Sequence, residues 1–202
     1  MKDFNYNLID LGLPSGTLWM DRNIGASSPE DAGLYFAWGE TQGYTVDEAI
    51  KLSKFDWPNY KFGTEDNLTK YNSTDGLTTL ETTDDAVLQN VNECMMPTKE
   101  QVQELIDGTT FTWATQNGVN GILFTSKTNS NSIFVPAAGD GYSGSFHGVG
   151  FDGYLWSSSL GEGNANFAWS FNLYSKSVFL FYSNRCFGHS VRGVKNKTFT
   201  KF

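Results

Sequence analysis

Along the last third of the chain, apolar and polar residues alternate with a period of two. That is the spacing of a β-strand, whose successive side chains point to opposite faces. In "AWSFNLY", Trp169, Phe171 and Leu173 fall on one face; Ala168, Ser170, Asn172 and Tyr174 fall on the other. The first set reads as core. In "SVFLFY", Val178 and Leu180 continue the inward set, which turns Phe179 and Phe181 outward. Paired through the "YSKS" turn, the two strands place Ser170, Asn172, Tyr174, Phe179 and Phe181 on one exposed face. Tyr182, Ser183, Cys186 and Phe187 crowd its end. A sheet covered on both faces accommodates the same pattern.

The rest of the chain supplies the elements that would carry this sheet. "IDLGLPSGTLWM" reads as a strand, a Pro-Ser-Gly turn and a second strand ending near Met20. Ser28 as N-cap, Pro29 at the first helical position, and Glu30 and Asp31 in the first turn predict a helix. Residues 41–85 are polar and rich in turn formers, which predicts a surface insertion. "PTKEQVQELIDG" is the strongest helix: Thr98 caps it, Gln101 completes a capping box, Val102, Leu105 and Ile106 form one apolar stripe, and Gly108 ends it. "GILFTSK" and "SIFVPAAG" form a hairpin around "TNSN". After a Gly-rich loop from Gly139 to Gly153 come four strands, "YLWSSS", "FAWSFNLY", "SVFLFY" and "HSVRGV". The fold class is therefore α+β in one domain, 1–202.

Composition narrows the function. A net charge of −8 argues against nucleic acid, since phosphate binding needs clustered Lys and Arg. No apolar run reaches membrane-spanning length, so no membrane insertion is expected. The opening "MKDFNYNLIDLGLPSG" has no basic region followed by an apolar stretch, so no signal peptide is visible in it. Aromatic residues make up 15% of the chain beside 21 glycines, a mixture favoured on recognition surfaces. Cys94 and Cys186 allow a single long-range disulfide, with two separate free thiols the plainer reading. His147 and His189 belong to no metal-ligand motif, and no nucleophile elbow or phosphate loop occurs. Asp140, Asp152 and Glu162 could bind calcium, but solvated loop carboxylates are the plainer reading. No metal, no cofactor and no catalytic residue is expected: the chain does not read as an enzyme.

Six stretches in order, an "IDLGLPSGTLW" opening, "GASSPEDAGLYFAWGET", "PTKEQVQELI", "FTSKTNSNSIFVPAAG", "YLWSSS" and "GHSVRGV", resemble the Fibrobacter-type major paralogous domain. That family belongs with the C-type lectin fold of the formylglycine-generating-enzyme subgroup. The group includes variable proteins of diversity-generating retroelements, whose C-terminal codons are rewritten while the main chain stays fixed. The resemblance implies a C-type lectin-like fold with a polar insertion in its N-terminal half, and a ligand-binding region over 154–194. Trp169, Phe171, Leu173, Val178, Gly188, Val191 and Arg192 match scaffold positions. Ser170, Asn172, Tyr174, Phe179, Phe181, Tyr182, Ser183, Cys186, Phe187 and His189 match variable, ligand-binding positions. Val191 and His189 share a parity that needs a bulge or twist.

The implied partner is a cell-surface protein or glycan. The implied location is a phage tail or bacterial cell surface, with the chain attached to a larger phage or surface assembly. An undiversified surface adhesin or structural domain of the same family is the alternative, and an oxidase of the formylglycine-generating kind is a third. The sequence departs from the pattern at "ECMMPT", where the family has a Trp-Arg pair. It lacks the copper-binding cysteine spacing of the oxidases and the calcium-dependent sugar motifs of the lectins.

Overall fold

A computed structural model of the protein describes residues 6–197, so both ends of the expected 1–202 domain lie outside the described residues. It is a mixed α+β structure, mostly strands in several sheets with few helices. In chain order come β1 (Leu8–Asp10), β2 (Leu18–Met20), β3 (Tyr35–Phe36), α1 (Val46–Lys51), β4 (Gly63–Thr64) and β5 (Asn67–Leu68). Next are α2 (Ala86–Asn90), α3 (Lys99–Gly108), β6 (Thr109–Gln116), β7 (Val119–Ser126), β8 (Ser132–Pro136), β9 (Asp140–Tyr142) and β10 (Ser145–His147). The last are β11 (Gly153–Leu160), β12 (Phe167–Tyr174), β13 (Ser177–Asn184), β14 (His189–Ser190) and β15 (Val194–Lys195).

The central sheet has the order β13-β12-β11-β14-β3, and a second sheet has the order β6-β7-β8. The predicted alternation holds through β12 and β13, which pair without a register break from Tyr174↔Ser177 to Phe167↔Asn184. Phe171, Leu173, Val178 and Leu155 turn to one side. There they meet Val102 and Leu105 of α3 and Ile122 and Phe124 of β7 in one core. Phe124 and Phe171 rings lie 5.5 Å apart. On the other side, Trp156 and Ala168 join a second, aromatic core with Trp38, Tyr60, Phe62 and Tyr71. The central sheet is thus covered on both faces over most of its width, and among the described residues its β13 end carries exposed aromatics on one face.

The α3 prediction is met in detail. Thr98 Oγ1 accepts from the Gln101 N–H at 3.3 Å, and Gln101 Oε1 accepts from the Thr98 N–H at 3.0 Å. The strand-turn-strand of β1 and β2 and the hairpin of β7 and β8 also form as expected.

Four expectations are corrected. No helix forms at Ser28–Asp31. Asp31 instead accepts from the Ser27 and Gly33 N–H groups, and Gly33, at φ +71, returns the chain so that Leu34 donates to the Ile24 carbonyl at 2.8 Å. Any Cβ at Gly33 would strike that carbonyl. Residues 41–85 are mostly exposed, as a surface segment would be, but are not peripheral to the core. They place Tyr44, Ala49, Phe55, Tyr60, Phe62 and Tyr71 in the aromatic core, where edge-to-face contacts such as Trp38–Tyr71 at 5.0 Å hold them. The Gly-rich loop contains the β9–β10 hairpin. "HSVRGV" is not one strand: β14 and β15 belong to different sheets. The break after Ser190 frees Val191 from the parity of His189, so both are fully buried without a bulge. The Thr-rich β6 also lies outside what alternation predicts.

Candidate functional site

Exposed aromatics gather along the β13 end of the central sheet. The Tyr154 and Tyr174 hydroxyls are 3.0 Å apart. The Tyr174 ring stacks on Phe179 at 5.7 Å and 17°, and Phe179 meets Phe181 edge-on at 6.4 Å. Phe179 is 39% exposed and Phe181 57%. Asn172↔Phe179 and Ser170↔Phe181 are cross-strand pairs, so these residues do share one face, as the alternation predicted.

That face is exposed only in part. Ser170 and His189 are fully buried, and Asn172 and Cys186 nearly so. These four ligand-binding candidates are corrected: in this structure they lie beneath the surface. Ser170 is covered by the imidazole of His189, carried in on β14 and stacked on Trp156 at 4.0 Å and 18°. Ser170 Oγ donates to Asn172 Oδ1 at 2.8 Å, and its oxygen lies 3.2 Å from His189 Nδ1. With the one hydroxyl proton given to Asn172, Nδ1–H must be the donor, which leaves Nε2 bare and unpartnered. Burial without a counter-charge holds the His189 pKa down at about 3, so the ring is neutral at ordinary pH. Ser170, Asn172 and His189 therefore form a neutral polar floor under the aromatic band.

The other candidates divide. Tyr174 and Ser183 are half-buried on the band's own face. Tyr182 lies on the opposite face of β13, against Trp169 at 4.2 Å, with Lys99 over the Trp169 ring at 5.2 Å. Phe187 is half-buried and stacks on Tyr142 of β9 at 5.1 Å; Tyr142 in turn meets His147 at 4.2 Å. Cys186 sits in the aromatic core, and burial pushes its thiol up to about 12. Both cysteines are free and buried, and burial raises the Cys94 pKa as well. Tyr142 and Phe151, 39% and 75% exposed, are further exposed aromatics that were not anticipated, because they sit in a Gly-rich segment with no strand pattern.

Of the acidic residues, Glu162 is paired with Lys99. Asp140 faces His147 across the β9–β10 pair, and burial raises the pKa of both Asp140 and Asp152. Among the described residues no group of three or more His, Cys, Asp or Glu side chains is gathered as metal ligands would be.

Arg185, at the end of β13, escaped notice in the sequence. It is fully buried, lying 4.9 Å from the Trp38 ring centre and within 5.7 Å of those of Tyr60, Phe62 and Tyr71. Its guanidinium donates to Tyr60 Oη and to the carbonyls of Lys70, Tyr71 and Ala165, all at 3.0–3.1 Å. This one side chain ties the band's strand to the 41–85 segment. Comparison with family models, with curated proteins and with solved structures finds no match.

Proposed function

We propose that the chain is a ligand-binding module of C-type lectin-like fold whose aromatic band recognises a partner on a cell surface, and that a retroelement diversifies the band. The observation that carries this reading is the contrast within β12 and β13. Phe171, Leu173 and Val178 are locked in the core while Tyr174, Phe179 and Phe181 stand side by side on the surface. Aromatic side chains give large contact area at low entropic cost, and a rigid sheet presents them without reorganisation. The buried floor of Ser170, Asn172 and His189 makes the working face smaller than the ten matched positions: it centres on Tyr174, Phe179, Phe181 and Ser183, with Phe187 set apart near the β14 side of the sheet. The reading is of a binder, not an enzyme, which agrees with a neutral, stacked His189 and with unreactive buried thiols. A phage tail or a bacterial surface assembly is the expected setting.

The gene tests the diversified version. Adenine-rich codons of the AAC type at the exposed positions, a near-identical template repeat and an adjacent reverse transcriptase are expected. Lack of all three removes the retroelement and leaves a fixed surface adhesin.

A further inference from the structure

The long strand at the open end of the central sheet has an unguarded backbone edge. β13 runs for eight residues, "SVFLFYSN", with no charge, no proline and no bulge. Folded proteins ordinarily guard such edges with a Lys, a Pro, a bulge or extreme shortness. The three other edges of the two larger described sheets are guarded or polar. β3 has two residues and is closed by the Tyr35–Tyr44 bridge, β8 is short and ends in Pro136, and β6 is rich in threonine.

The direction of the free groups follows from the hairpin. A two-residue turn, Ser175–Lys176, closes on the Tyr174↔Ser177 pair, which is therefore hydrogen-bonded. Alternation then makes Phe179 and Phe181 hydrogen-bonded partners of β12, and Val178, Leu180 and Tyr182 direct their N–H and C=O groups outward. Two bonds agree with this phase. The Trp169 carbonyl, opposite Tyr182, turns to β11 and accepts from Ser157 Oγ, and the Asn184 carbonyl accepts from the Phe187 N–H. No main-chain bond from the described residues reaches Val178, Leu180 or Tyr182 from outside the sheet.

We infer that this edge takes up an extended segment of a partner protein as a sixth strand, so that the ligand of the aromatic band is a polypeptide rather than a glycan. This rests on reading the band as a recognition surface. Main-chain bonds to the three outward residues supply affinity with little sequence demand, and alternate side chains of the guest fall beside Phe179 and Phe181. The guest is apolar at those alternate positions. It is uncharged or basic elsewhere, because the chain carries a net charge of −8. A second copy of the chain fits less well. Two such charges would meet and repel along a seam roughly 27 Å long.

The probe is a displayed library of random linear peptides, selected on the wild-type chain. Enriched clones are then tested on Tyr182→Pro, which deletes one outward N–H, and on Tyr182→Ala, which keeps it. Alternating apolar clones that bind Tyr182→Ala but lose at least tenfold on Tyr182→Pro are expected. Hydrogen exchange on the wild type gives a readout independent of whether the proline variant folds. Bound peptide slows exchange at the Val178, Leu180 and Tyr182 amides.

No enrichment, equal binding to both variants, or no slowing at those three amides overturns strand addition. Slowing that is already present without peptide gives the edge to a second copy or to the chain's own tail, and also overturns it. Clones that discriminate the proline variant yet bind the Phe179→Ala/Phe181→Ala double variant like wild type overturn the reading of the band itself.

Discussion

Arg185 carries its charge into the protein with no carboxylate among its hydrogen-bond partners in the described residues: these are one phenol and three carbonyls, with four ring faces around them. Replacing it by Met keeps the stem but strands those acceptors, at about 1–3 kcal/mol for each group left unsatisfied. Arg185→Met is expected to lose at least about 3 kcal/mol in urea unfolding, and Arg185→Lys to recover only part of it, since one ammonium cannot reproduce the planar fork. His189 makes a different prediction. Its folded pKa, about 3, lies below the ordinary 6.5, so the unfolded chain gains a proton that the fold refuses. Well above pH 6.5 the residue contributes no slope. As pH falls toward 4.5 it removes stability at a rate approaching about 1.4 kcal/mol per pH unit. His189→Gln can keep the bond to Ser170 and should remove that slope, seen as the difference between the two stability–pH curves. Neither residue announces its place in the sequence: a lone Arg or His in a polar run reads as surface until the tertiary partners are known.

At the scale of elements, local signals were legible where local physics decides. The capping box and apolar stripe of α3, the two-residue turn between β12 and β13, and the alternation on both strands could all be read directly. What could not be read was cover. Alternation assigns faces, but whether a face meets solvent depends on β14, which arrives from elsewhere in the chain and lays His189 on Trp156. Likewise Phe55, Tyr60, Phe62 and Tyr71 are spaced irregularly among turn residues, so no periodicity marked 41–85 as core. Two consequences can be measured. Thr98→Ala should cost about 1 kcal/mol through loss of the cap. Phe179→Ala and Phe181→Ala should each change stability by less than about 1 kcal/mol, as substitutions at exposed positions do, while abolishing binding to a peptide selected on the wild type.

Over the whole molecule, two cores share one sheet. The aliphatic core between the two sheets fixes β12 and β13 from one side, and the aromatic core fixes Trp156, Ala168 and Arg185 from the other. Cover on both sides anchors β11 and β12, the strands beside the aromatic band. Both buried thiols should accordingly resist maleimide until the protein unfolds, with labelling rates that follow global stability.

Band residues should be free of folding duty while their strand neighbours are not. Randomising each position from Ser170 to His189 on a display system, and scoring survival under protease, tests it without any ligand. The account predicts that Tyr174, Phe179, Phe181, Ser183 and Phe187 tolerate most substitutions, whereas Ser170, Phe171, Asn172, Leu173, Arg185, Cys186 and His189 tolerate few. Phe179 and Phe181 proving as intolerant as Phe171 would contradict it.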